Sequence, residues 1–123
     1  MEKAFICTPY NAKTHYEIKQ NILAAEVLMK NAFNRGYAVY CPHTMTAFWG
    51  GAFPEQVFYN SCIEFLKLSQ VVFLNYNWRE SKGCRKEVQM AKMLKLKFYL
   101  KERTEEYKAV FPDTYKDHLK VKV

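Results

Sequence analysis

Four short apolar runs, each closed by loop-forming residues and separated by stretches of helical periodicity, restrict this chain more than any other feature. Lys3 to Thr8 (KAFICT) is β-branched, aromatic and apolar and is stopped by Pro9. Tyr37 to Cys41 (YAVYC) ends at Pro42 and His43, Val71 to Tyr76 (VVFLNY) is the clearest run, and Lys97 to Leu100 is the fourth. Such runs read as buried strands. Between the first two, Ile18, Ile22, Ala25, Leu28, Met29 and Ala32 recur at three and four, which predicts an amphipathic helix from about Thr14 to Arg35 with Gly36 in the capping place. A loop with Gly50, Gly51 and Pro54 precedes a second helix from about Glu55 to Leu68, with Val57, Phe58, Cys62, Phe65 and Leu66 on one face. After Asn77-Trp78-Arg79-Glu80, Ser81 is the expected N-cap of a third helix reaching about Lys95.

Strands alternating with helices at these spacings imply right-handed crossovers and a mainly parallel sheet of four or five strands covered on both faces. The expectation is an α/β three-layer sandwich, flavodoxin-like or Rossmann-like, with all 123 residues in a single domain. Residues 102–123 are mixed and charged, with Pro112 among them, and form an extension of open placement: a helix and edge strand, or a segment packed on a partner subunit.

No apolar run reaches the ~18 residues of a membrane span, and Met1-Glu2-Lys3-Ala4 opens directly into a strand-like segment. A cytoplasmic protein without a membrane partner is the expectation. Cys7, Cys41, Cys62 and Cys84 lack any CxxC pair or zinc-type histidine spacing, so they read as reduced, mostly buried thiols and no metal is expected. The net charge of +7 suits nucleic acid or a phosphorylated small molecule equally. With no base-reading motif, and lysines scattered late in the chain, solvated surface charge is the simpler reading and a nucleic-acid partner is not expected.

In an open parallel sheet the ligand site lies beyond the carboxyl ends of the strands, where strand order reverses. With an order such as 2-1-3-4 that point joins strands one and three. The loops there carry Thr8, Pro9, Tyr10 and Asn11 on one side, and Asn75, Asn77, Trp78, Ser81 and Lys82 on the other. A helix start offers free N–H groups and a positive dipole end to an anion, and Gly83 permits close approach. Glu87 follows Gly83 by one helical turn, on the same face. The ordinary role of a helical glutamate is a surface ion pair, here with Lys86 or Lys92; the alternative is an acid that reaches a bound sugar.

The segment from Asn77 to Glu87 (NWRESKGCRKE), followed by Met90-Ala91, resembles the signature helix start of the nucleoside 2-deoxyribosyltransferase superfamily, in particular its DUF4406-like, often phage-borne branch. Cys7-Thr8-Pro9-Tyr10, Asn21-Ile22 with Ala25, Gly36-Tyr37 and Pro42-His43 are similar to the family in order and spacing, so the resemblance covers residues 3 to 100. It implies that Glu87 attacks the anomeric carbon of a deoxyribosyl group and displaces the base, with Tyr10 orienting it, in the manner of a retaining glycosidase. Relatives acting on nucleoside 5′-monophosphates have serine where Ser81 stands. The implied activity is thus an N-glycosidase or deoxyribosyltransferase acting on a nucleotide, without metal or organic cofactor, in a homo-oligomer of two or more copies. A nucleotide-binding protein that senses or sequesters its ligand without turnover is the alternative.

The chain departs from the catalytic pattern in two places. Relatives usually carry an aspartate on the helix before strand three, where Cys62 stands, and another opening that strand, where Ser69-Gln70 stand. Glu64 is two positions away, about 200° around the helix. His43 is read as either a structural histidine bonded to backbone or a substitute acid. Phe48, Trp49 and Phe53 either stack on a base or pack a lid or subunit contact, and Trp78 is expected to wall the phosphate-binding turn.

Overall fold

The structure, a computed structural model, describes residues 1–102 and the backbone of residues 119–121. Five strands form one sheet: β1 (Lys3–Cys7), β2 (Ala38–Tyr40), β3 (Val71–Asn75), β4 (Lys97–Lys101) and β5 (Leu119–Val121), in the spatial order β2-β1-β3-β4-β5. The first four are mutually parallel, and β5 pairs antiparallel with β4. The doubly wound sandwich expected from the alternating pattern is therefore present. Of the extension after Glu102, the edge strand is present as β5, and the remainder lies outside the described residues.

Alternate residues of the inner strands enter two different cores. Ala4 and Ile6 of β1, with Val71 and Phe73 of β3, pack against Ala25, Leu28 and Ala32 of α1 (His15–Asn34). Phe5, Cys7, Val72 and Leu74 face the other way, against Cys62 and Leu66 of α3 (Glu55–Lys67) and Cys84, Val88 and Ala91 of α4 (Lys82–Met93). Because β1 and β3 are covered on both faces, they read as unbroken apolar runs.

The helix ends follow local chemistry. Thr14 caps α1 by accepting from the Glu17 N–H, and Gly36, at φ +84°, closes its other end while Tyr37 N–H reaches back to the Ala32 carbonyl. Two segments expected as plain loop are ordered turns. Pro42 starts the one-turn helix α2 (Pro42–Met45), where its fixed φ suits the first helical position, and Trp78–Glu80 forms a 3₁₀ turn ahead of α4. The buried stripe of α3 is narrower than its periodicity suggests: Val57 and Phe65 stay partly exposed, Phe65 stacking on Tyr40 at 4.1 Å between ring centres. Among the described residues no helix is long and apolar enough to cross a membrane.

Candidate functional site

The strand order reverses between β1 and β3, and the loops leaving their carboxyl ends meet there. Thr8 and Asn75 stand one residue past the paired Cys7 and Leu74. Both are buried, and the Thr8 hydroxyl, the Asn75 side-chain carbonyl and the buried Trp78 indole N–H have no hydrogen-bond partner among the described residues. Buried polar atoms are nearly always satisfied, so three orphans at one sheet edge mark unmet hydrogen-bonding capacity at the place where such folds take ligands. The Asn75 amide is fixed by donating to the Asn77 side-chain oxygen at 3.0 Å.

On the β1 side, Tyr10 is held at several points. Asn21 of α1 donates to its carbonyl at 2.9 Å, its ring meets the His43 ring edge-on with centres 5.2 Å apart, and its hydroxyl accepts from the Phe48 N–H. Phe48 sits at φ +62°, a left-handed conformation that is unusual for an aromatic residue, and this hydrogen bond helps hold it there. His43 donates from Nε2 to the Thr8 carbonyl. Burial lowers its pKa to about 4, partly offset by the Thr8 and Pro9 backbone acceptors, so it is a neutral strut between β1 and α2 and no proton donor near neutral pH. Pro9 is buried and Asn11 exposed. Phe48, Trp49 and Phe53 are each about half exposed, at 53%, 50% and 51%.

On the β3 side, Ser81 caps α4 by accepting from the Cys84 N–H at 3.2 Å, which leaves its hydroxyl proton free to donate. Lys82 and Gly83 are exposed, and a Cβ placed on Gly83 would meet only Ser81 Oγ, at 3.8 Å. The space in front of this turn is open. Arg79 lies over the Trp78 ring at 4.4 Å, and Arg85 donates to the Arg79 carbonyl at 2.7 Å, placing two guanidinium groups beside the helix start.

Glu87 does not form the surface ion pair with Lys86 or Lys92. It lies in the buried stripe Cys84, Glu87, Val88, Ala91, only 9% exposed. Cys7 at the end of β1 donates its thiol proton to Glu87 Oε1 at 3.3 Å, and the Cys62 thiol of α3 also hydrogen-bonds to the carboxylate. Burial raises the Glu87 pKa to about 7, and the two thiols pull it back down. The Cys62 thiol is itself pushed up to about 12 by burial and by Glu87, and Cys7 is raised well above its ordinary value by its hydrogen bond to Cys84 and by burial. Cys7 Sγ, Cys84 Sγ and a Glu87 oxygen lie within 4.8 Å of one another, a set able to hold a cation. The contacts to the carboxylate are therefore thiols, while the Tyr10 hydroxyl is engaged by Phe48. Sequence reasoning passed over Cys7, Cys62 and Cys84 as partners of Glu87; the available signal was a glutamate inside an apolar stripe, three residues after a cysteine.

The two positions where an acid was missed have different standing. Cys62 touches Glu87, whereas Gln70 stands before β3, at the opposite edge of the sheet, where its oxygen accepts from the Lys3 N–H at 2.7 Å. Glu64 is exposed and pairs with Lys67 at 3.6 Å, turned away from Glu87 as the helical angle requires.

A search among functionally curated proteins finds no match. The structure is similar to the solved 2-deoxyribosyltransferase of the psychrotolerant bacterium Bacillus psychrosaccharolyticus, at a TM-score of 0.59 and 17% identity over 80% of this chain and 70% of that one. A sequence model of the family described as "Domain of unknown function (DUF4406)" matches residues 3–100. The chain belongs to the DUF4406 family, built on a nucleoside 2-deoxyribosyltransferase-like fold.

Proposed function

We propose that the protein cleaves the N-glycosidic bond of a nucleoside 5′-monophosphate, with Glu87 as nucleophile. The observation that carries this reading is the buried Glu87 carboxylate, set in an apolar stripe behind the open start of α4 and touched by thiols in place of a cation. Burying an acid without a counter-charge costs stability and is retained chiefly where chemistry uses it. In the first step a Glu87 oxygen bonds to the anomeric carbon as the C–N bond breaks and its electron pair leaves with the base. Water then attacks the same carbon, loses a proton to solvent and frees the carboxylate; a second base in place of water gives transfer. Ser81, with its free hydroxyl proton, the amides of Lys82 and Gly83 and the helix dipole would bind the phosphate. Thr8, Asn75 and Trp78 offer unpaired polar atoms to the sugar or phosphate, and Phe48, Trp49 and Phe53 offer aromatic surface to a base or a second copy of the chain.

The second reading is a nucleotide-binding protein without turnover. It is favoured by Cys62, whose thiol at about 12 is no effective acid for the leaving base. General-acid assistance commonly contributes ~10² to 10⁴ in rate.

The test is incubation with ribo- and deoxyribonucleoside 5′-monophosphates, following free base by chromatography, with Glu87→Ala and Glu87→Gln beside the native chain. Base release lost in both variants supports cleavage. Binding without release, weakened by Ser81→Ala, supports the second reading.

A further inference from the structure

We infer that Cys7, Cys84 and Glu87 form a binding site for a thiophilic divalent cation of the zinc and cadmium class. The three ligand atoms of Cys7, Cys84 and Glu87 lie within 4.8 Å of one another, and the Cys7 sulfur is 3.3 Å from Glu87 Oε1. Tetrahedral zinc, with bonds of about 2.3 Å to sulfur and about 2.0–2.2 Å to oxygen, needs ligand-to-ligand edges of roughly 3.3 to 3.8 Å. The Cys7–Glu87 edge already has the required length, and the Cys84 sulfur stands close enough for side-chain adjustment to seat an ion. Cys62 hydrogen-bonds to the same carboxylate from α3 and stands outside this triangle, which leaves the fourth coordination position to water.

The scaffold is buried. Cys7 ends a buried strand, Cys84 and Glu87 lie one turn apart on α4, and all three residues belong to the buried interior beside α3. Two sulfurs and one oxygen select zinc or cadmium over magnesium or calcium, which require oxygen ligands and hydration. Residue 7 lies far along the chain from residues 84 and 87, so the site exists only in the fold. Binding displaces thiol protons to solvent and tightens as pH rises. A bound ion also occupies the Glu87 lone pairs. The inference stands whether or not Glu87 acts on a sugar, because its readout is the metal itself.

The test is titration of the chelator-stripped, reduced full chain with cadmium, following cadmium–thiolate charge-transfer absorption in the ultraviolet. The expected result is saturation at one equivalent, no response to magnesium, and competition by zinc. Cys7→Ser and Cys84→Ser should each weaken binding at least ~10-fold, a minimum set by the effect of losing even a supporting contact, and Cys41→Ser should match the native chain because Cys41 lies in the core beside α1. Glu87→Gln keeps the shape and should retain the absorption while weakening affinity. Absence of the band in the native chain, its appearance only in denaturant, or its persistence unchanged in a Cys7→Ser, Cys84→Ser double variant overturns the inference. If the double variant does not fold, an unchanged affinity in Glu87→Gln does so.

Discussion

Cys7 Sγ donates to Glu87 Oε1 across 3.3 Å, joining the last residue of β1 to the middle of α4. This contact places a carboxylate where side-chain packing alone would put a leucine or valine. Its energetic consequence is large enough to measure.

Because burial raises the Glu87 pKa from 4.5 to about 7, its folded form favours the proton. The associated stability is complete below the unfolded value near 4.5 and is lost as pH rises through 7, amounting to up to about 3 kcal/mol. Glu87→Gln keeps the shape without the charge. In chelator-treated buffer it should therefore be more stable than the native chain at pH 8 by roughly 1–3 kcal/mol, and nearly equal to it at pH 5. Urea unfolding at the two pH values checks this; equal stability at pH 8 would contradict a buried, uncompensated carboxylate.

His43 has the opposite sign. Its pKa is lowered from 6.5 to about 4, so its contribution is present above 6.5 and disappears as pH falls toward 4, by up to about 3 kcal/mol. In the native chain this slope is opposed by Glu87. In Glu87→Gln the two separate, and the midpoint of urea unfolding should fall steadily between pH 6.5 and 4. Adding His43→Asn should flatten that fall while lowering stability at pH 7.

Ser81 has two roles that different substitutions separate. Ser81→Ala removes the acceptor for the Cys84 N–H and should cost about 1 kcal/mol of stability. Aspartate caps as well as serine, so Ser81→Asp should retain native stability while its charge repels phosphate. Calorimetric titration should then show monophosphate affinity falling at least ~10-fold in both, as expected for loss of a hydrogen bond to a charged group. Retained affinity in Ser81→Asp would place the phosphate elsewhere.

Tyr10 is the acceptor for the Phe48 N–H. Tyr10→Phe keeps the ring against His43 and removes the acceptor, so its stability cost should be near 1 kcal/mol. The effect should be local, seen as faster protease cleavage around Phe48 and Trp49 with little change at α4. A substitution that changes monophosphate turnover without loosening this loop would instead point to a contact with substrate or Glu87.

The four strands and three long helices, the Ser81 cap, the Gly36 terminus and the reversal of strand order between β1 and β3 were legible in the sequence. Each depends on neighbours within a few residues or on the period of apolar positions, and those are written along the chain. Family membership was legible for the same reason, as short local segments in a fixed order. The surroundings of Glu87 were not. Residues 7, 62, 84 and 87 lie on three elements, and only the packing of α3 and α4 onto β1 brings their side chains together. By its place before β3 Gln70 reads as a lost acid, but a strand has two ends, and tertiary structure puts this residue at the end away from the crevice. The helical pattern determined that Glu87 would face inward or outward with Cys84 and Val88. Which groups meet it there, and thus its charge state and its donors, was decided by contacts through space that no spacing along the chain encodes.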